Sequence, residues 1–227
     1  MKRRNGKWPH VIAWMLCIIG VALLVWSGLT LYMSWQATVA DEADSTQTSS
    51  TIPASVQVSD DVDTTKPTVD VLANYRTAPD VPRALYIDKL GIRARVVSVG
   101  VSSDNSMQTP KNIYDSGWYT GSAKPGTIGA VVIDGHASGS TRVGLFAYID
   151  TLRSGDEIRV EQGDGTVFRY KVVHNETTPM NDVDMTKAMQ PYEGRSEGLT
   201  LITCTGNWLP AQRTYDRRVI VYAERVL

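Results

Sequence analysis

TLITCTGNWLPAQRTYDRRVIVYAERV, residues 200–226, is the stretch that organises the rest of the sequence. Thr200-Leu201-Ile202-Thr203-Cys204 is a short β-type run that ends on a thiol. After the loop 205–216, a second run begins at Arg217-Arg218-Val219-Ile220-Val221. Aliphatic and β-branched residues at this density, interrupted by Gly and Pro, read as strands. If the two runs are antiparallel neighbours, the end of the first lies beside the start of the second. Cys204 and an arginine then meet in space without being close in sequence. A guanidinium is permanently charged and stabilises a thiolate or a developing oxyanion. Adjacent strand residues point to opposite faces, so only one of Arg217 and Arg218 can face Cys204. The residues alone leave both open, Arg217 and Arg218, the latter directly preceding Val219-Ile220-Val221.

Working back from this stretch, short β-type runs recur between Gly, Pro, Asp and Asn turns. Strands are predicted over 84–87, 94–99, 129–134, 158–161, 167–173, 200–204 and 219–223. Ser154-Gly155-Asp156 and Gly163-Asp164-Gly165 are turn signals between them. Helices are predicted over 144–152, with Leu145, Tyr148, Ile149 and Leu152 on one face, and over 182–190, opened by Asp182 and closed by Pro191. Many short strands and few helices in residues 83–227 make the domain mainly β, a closed barrel or a sandwich.

The domain carries two histidines. His174 continues the 167–173 run beside Asn175 and Glu176, as a surface or strand-end residue would. His136 follows the apolar run AVVID and a glycine, then opens onto Ala137-Ser138-Gly139-Ser140. That delivers an imidazole to a strand end, where a rigid sheet often displays catalytic groups. An imidazolium beside a thiol favours the thiolate and can protonate a leaving amine. Metal chemistry has no support, because there is no CxxC, no HExxH and no ligand cluster.

Residues 11–35, VIAWMLCIIGVALLVWSGLTLYMSW, contain no charge. A bilayer core of ~30 Å needs about 20 apolar residues in a helix, so this run is expected to span a membrane. Signal-peptide apolar regions run to only ~7–15 residues, which favours an uncleaved anchor. The basic tail 1–10, with Lys2, Arg3, Arg4 and Lys7, is expected in the cytoplasm and the C-terminal bulk outside. Residues 36–82 are rich in Ser, Thr, Asp and Pro and carry eight acids against two bases. They are expected to form a flexible stalk that buries too little apolar area to fold. Residues 83–227 carry sixteen acids against seventeen bases, so no basic field points to nucleic acid. Cys17 lies in the apolar run, leaving Cys204 a lone thiol in a domain expected outside the cell, where disulfides are the usual fate of cysteine.

TLITC (200–204), followed after a variable loop by Arg and a β-strand, resembles the signature of sortases. IDGH (133–136) resembles the family's Gly-His element, and LFAYIDTLRSGDEIRVEQGDG (145–165) the stretch that follows it. ALYIDKLGIRARVVSVGV (84–101) and GWYTGSAKPGTIGAVVIDGH (117–136) are most similar to the first strands of class F or related D/E-type sortases. The resemblance covers 84–227 and implies an eight-stranded sortase β-barrel, which the run 11–35 would place behind a single transmembrane helix. It implies no cofactor and a cysteine transpeptidase acting on an LPXTG-like sorting signal of surface proteins. Cys204 would attack the Thr–Gly carbonyl to form a thioester, His136 would protonate the leaving amine, and Arg218 or Arg217 would hold substrate and oxyanion. An amine of a peptidoglycan precursor or of a pilin lysine would then resolve the thioester. Thr203 is carried over as a supporting, substrate-side residue, and Trp208 and Pro210 in the loop 205–216 are candidates for shaping the pocket.

Two rival readings stand beside this one. An L,D-transpeptidase-like cell-wall enzyme would carry SHGC[VI]R around its nucleophile, whereas Cys204 is preceded by Leu-Ile-Thr and followed by Thr-Gly. A non-enzymatic, anchored surface β-domain would explain anchor, stalk and strands but leave the lone thiol unused.

Overall fold

The computed structural model describes residues 62–103, 105–139 and 142–226. The expected tail 1–10, the span 11–35 and the stretch 36–61 lie outside the described residues. No helix among the described residues is long and apolar enough to cross a membrane.

Eight strands close into a barrel: β1 (Pro82–Ile87), β2 (Ile92–Val99), β3 (Ser116–Tyr119), β4 (Gly129–Gly135), β5 (Glu157–Gln162), β6 (Val167–Pro179), β7 (Glu197–Leu209) and β8 (Thr214–Arg225). Around the barrel they run β1-β2-β3-β4-β7-β8-β6-β5, and β5 pairs with β1 to close it. β2/β3 and β4/β7 are parallel and the other neighbours antiparallel. A parallel pair needs a long crossover, and the segment joining β4 to β7 contains β5 and β6 themselves. Of the two expected architectures, closed barrel and sandwich, the structure takes the barrel.

Alternation of side chains along each strand fills the interior. Ile92, Ala94 and Val96 of β2, Val131 and Ile133 of β4, Leu199 and Leu201 of β7, and Val219, Val221 and Ala223 of β8 share one buried cluster with Trp118 and Phe146. The opposite parity of the same strands makes a second, outer cluster of Val132, Ile202, Ile220 and Tyr222 with Ala188. Ala188 belongs to the short helix α2 (Met185–Ala188), which the β6–β7 connection lays over the outer face.

The differences from the sequence-based elements have physical causes. β3 was not expected, because Ser116-Gly117-Trp118-Tyr119 has a single large core residue, Trp118, and no alternation to read. Residues 144–152 form turns and a 3-10 helix (Ile149–Thr151), not an α-helix. The fully buried residues are Phe146, Ile149 and Leu152, a spacing of three that suits a 3-10 turn. Tyr148 is 61% exposed. The helix expected over 182–190 shrinks to α2, capped by Asp184 rather than Asp182, since Asp184 accepts from the Thr186 and Lys187 amides.

The expected stalk, 36–82, includes residues that are packed on the barrel. The helix α1 (Val69–Asn74) is held by Arg83, whose Nη1 donates to Leu72 O at 2.8 Å and to Tyr75 O at 3.2 Å. The same guanidinium meets Glu161 at 2.6 Å, and the Tyr75 hydroxyl donates to Val96 O at 3.0 Å. Residues 62–67 lie farther on, along the loop before β3, where Asp63 bridges Asn112 in parallel.

Candidate active site

The register of three neighbouring strands defines the site. β7 and β8 are antiparallel with Cys204 opposite Arg218 and Thr205 opposite Arg217. Directly opposed residues put their side chains on one face, so Cys204 and Arg218 share the parity of Ile202 and Ile220, the outer face. β4 and β7 are parallel with Asp134 level with Ile202. Continuing that register by two residues sets His136, one position past the end of β4, level with Cys204. His136, Cys204 and Arg218 therefore stand in one row across adjacent strands, which are ~4.8 Å apart.

Each member of the row is held differently. Cys204 is half-buried and is a free thiol. The strand does not finish on it: β7 runs on to Leu209 through a bulge between Thr205 and Trp208. Gly206 has φ +90° there, a conformation that side chains with a Cβ rarely adopt. Asp216 anchors the bulge by accepting from the Asn207 amide at 2.7 Å.

Arg218 is half-buried and bound back to its own strand. Nη1 donates to Tyr215 O at 2.8 Å and Arg217 O at 2.9 Å, and Nη2 to Thr214 Oγ1 at 3.0 Å. Of the five guanidinium protons, the Nε–H and one Nη2–H remain without a partner among the described residues. Arg217 is exposed and on the other face. The two arginines lie inside β8, which begins at Thr214, rather than at its start.

His136 Nε2 donates to the carbonyl of Pro110 at 2.7 Å. A carbonyl only accepts, so Nε2 carries a proton and Nδ1 is the nitrogen left for exchange. The loop that follows is tied across the site, with Ser138 Oγ and the Tyr215 hydroxyl 2.7 Å apart. Tyr215 in turn meets Trp208 edge-on at 5.2 Å between centroids. Trp208 is 51% exposed, so it stands on the rim of the row. Thr203 has the opposite parity to Cys204: its side chain is buried, and Oγ1 donates to Gly135 O at 2.7 Å. It fastens the residue before His136 to the strand of Cys204, and its side chain is directed away from the face that a substrate would approach.

Asp134, the acid in the AVVID run, shares the face of His136 two residues earlier. Its carboxyl is buried, Oδ1 has no hydrogen-bond partner, and burial pushes it well above the usual carboxylate range. It fits because Gly117 lies opposite, where a Cβ would stand 2.4 Å from Oδ1. His174 lies elsewhere, stacked on Tyr192 at 4.7 Å between centroids. No group of three or more His, Cys, Asp or Glu among the described residues could hold a metal ion. Sequence reasoning missed Pro110, Asp134, Ser138 and Tyr215; of these only Asp134, an acid inside an apolar run, carried a visible signal.

A closed β-barrel whose strand register brings a free thiol, an imidazole and a guanidinium toward one row at its rim has the groups that cysteine-based acyl transfer needs. The sequence profile of the sortase domain matches residues 85–226. The chain belongs to the sortase family and is a cysteine transpeptidase. Among solved structures, sortase A from Corynebacterium diphtheriae is 25% identical, over 67% of this chain and 63% of that one, with a TM-score of 0.50. The Clostridium perfringens sortase D5 transpeptidase is 22% identical over 70% of this chain and 86% of that one, with a TM-score of 0.46. Sortase C-1 from Actinomyces oris is 22% identical over 66% and 75%, with a TM-score of 0.48. None of the curated proteins matches the chain.

Proposed function

We propose that Cys204 is the nucleophile, His136 the general acid and base, and Arg218 the oxyanion and substrate clamp of a transpeptidase acting on an LPXTG-like sorting signal. The observation that carries this reading is the register that sets Cys204 opposite Arg218 and, continued two residues past the pair Asp134–Ile202, brings His136 level with Cys204. The Cys204 thiolate adds to the carbonyl before the scissile bond, and the two unpartnered guanidinium protons of Arg218 receive the developing oxyanion. As the C–N bond breaks, His136 gives a proton to the departing amine, leaving a thioester. An incoming primary amine loses its proton to His136 and attacks the thioester, and the C–S bond breaks to restore the Cys204 thiolate beside the reprotonated imidazole. Water in place of the amine would give hydrolysis.

Below the row the outer face is apolar. Val132, Ile202 and Ile220 are ringed by half-buried Met107, Val183 and Met185. Val132, Ile202 and Ile220 are themselves buried, so the half-exposed edges of Met107, Val183 and Met185 are what suit the apolar residues of a sorting signal, and exposed Trp208 suits the acceptor side. The first strands, 84–101 and 117–136, support membership of class F or a related D/E-type class. The chain is proposed to sit in the cell membrane through residues 11–35 with residues 1–10 inside and the barrel outside. Its partners would then be secreted proteins with a C-terminal sorting signal and an amine of a peptidoglycan precursor or pilin lysine.

The test is a library of LPXTG-like peptides presented with and without a primary amine. Thr–Gly cleavage and an amine-dependent ligated product are expected from at least one motif. Absence of cleavage across the library, from folded protein, would contradict the substrate class.

A further inference from the structure

Residues 62–67 lie outside the matched sortase domain, 85–226, yet they hold the loop that holds His136. The Asp63 amide donates to Lys111 O at 2.8 Å and the Ile113 amide to Asp63 O at 3.0 Å, one turn of a parallel ladder. Asn112 locks this pairing. Its buried side chain donates through Nδ2 to Asp63 Oδ2 at 2.8 Å and to Thr65 O at 2.9 Å, while Oδ1 accepts from the Tyr114 amide at 2.9 Å. Every hydrogen-bonding position of the Asn112 amide group except one acceptor lone pair is thus used. The Asp63 carboxylate also receives the Thr65 amide at 2.8 Å, which keeps the segment bent onto the loop.

This segment braces the chain on both sides of His136, the 110–113 loop and the 137–139 loop. Pro110, two residues before Asn112, supplies the carbonyl that receives His136 Nε2–H. On the other side, a Cβ at Gly139 would stand 2.9 Å from Thr64 Cγ2 and 3.3 Å from Ile113, so Thr64 lies directly on the loop that follows His136. That loop is tied back to the same elements, since the Leu145 amide donates to Ile113 O at 2.8 Å and the Phe146 amide to His136 O at 2.9 Å.

We propose that Asp63, Thr64 and Asn112 form a positioning strap for His136, so that the segment preceding the barrel is part of the catalytic apparatus. The strap fixes Pro110 and the 137–139 loop, and through them the ring orientation that presents Nδ1 to the row. A misplacement of the acid by about 1 Å is sufficient to cost up to ~10²-fold in rate. The inference rests on the reading of His136 as the acid.

The experiment uses the full chain with Asp63→Ala, Asp63→Asn and, as a control on the underlying reading, His136→Ala. Asp63→Ala removes the acceptor of Asn112 and Thr65 at an exposed position, and Asp63→Asn restores one acceptor oxygen. Two quantities are read: kcat and KM for amine transfer, and solvent exchange of the His136 Nε2–H proton by nuclear magnetic resonance. Asp63→Ala should lower kcat about tenfold with KM within about twofold, and should speed Nε2–H exchange. Asp63→Asn should recover most of both. Wild-type kcat and exchange in Asp63→Ala, or a kcat loss matched by a loss of folded protein with exchange unchanged, would overturn the strap. An active His136→Ala protein would instead overturn the acid assignment beneath it.

Discussion

Replacing Arg218 by lysine tests the row at its most discriminating point. Arg218 spends three of its five protons on Tyr215 O, Arg217 O and Thr214 Oγ1, which sets the guanidinium plane and leaves two protons without a partner among the described residues. A lysine ammonium has three protons on a flexible stem and cannot both hold those acceptors and present a fixed pair outward. Losing a preorganised donor to an oxyanion typically costs ~10²–10³ in kcat, about 3–4 kcal/mol of transition-state stabilisation. The stability loss is smaller, about 1 kcal/mol, because the group is half-exposed and its lost partners regain water. Arg217→Lys, at an exposed position opposite Thr205, should stay within about twofold of wild type, as ordinary surface changes do. The assay is amine-dependent transfer of a sorting-signal peptide, with thermal unfolding as the control. Near-wild-type activity in Arg218→Lys together with an inactive Arg217→Lys would reverse the assignment, and two active variants would remove arginine from the mechanism.

Three further outcomes follow from particular contacts. Thr203→Val deprives Gly135 O of a buried donor, so denaturant unfolding should show a loss of about 1–3 kcal/mol, accompanied by a fall in kcat as His136 loses its tether. Asp134 should make stability depend on pH, because the folded chain keeps a proton that the unfolded chain releases. Its contribution is intact below the usual carboxylate range and is lost as pH rises toward the elevated folded value. Asp134→Asn should therefore gain on wild type at pH 8 relative to pH 4 in urea titrations, and an equal difference at both would contradict the buried acid. A chain starting at Pro82 should fold less stably than one starting at Val62, because it lacks the Arg83 contacts with α1 and the Tyr75 bond to Val96; equal urea midpoints would contradict that.

The sequence was most legible where side chains alternate against a core. Val131 and Ile133, Leu199 and Leu201, and Val219 and Val221 fall on one buried face, and the strands predicted around them are present. It was least legible where strands leave the core. The outer parts of β6, β7 and β8, with Asn175-Glu176-Thr177-Thr178, Asn207-Trp208 and Thr214-Tyr215-Asp216, are polar ribbons whose strand character comes from pairing rather than burial. Cys204 and Arg218 lie on that boundary, which is why a strand appeared to finish on one and begin near the other. His136 was legible from its strand and glycine, but its partner Pro110 O was not, because a backbone carbonyl has no sequence signature. Residues 62–81 read as a solvated stalk because their composition is polar. Their attachment depends on a few specific hydrogen bonds to Asn112, Val96 and Arg83 that composition does not encode.

The measurement closest to the central claim is the intact mass of the protein during turnover of a sorting-signal peptide. A transient increase equal to the acyl portion up to the Thr is predicted, located on Cys204, discharged by hydroxylamine or a primary amine, and absent in Cys204→Ala. Peptide cleavage by Cys204→Ala at the wild-type rate, or an adduct on any other residue, would contradict it.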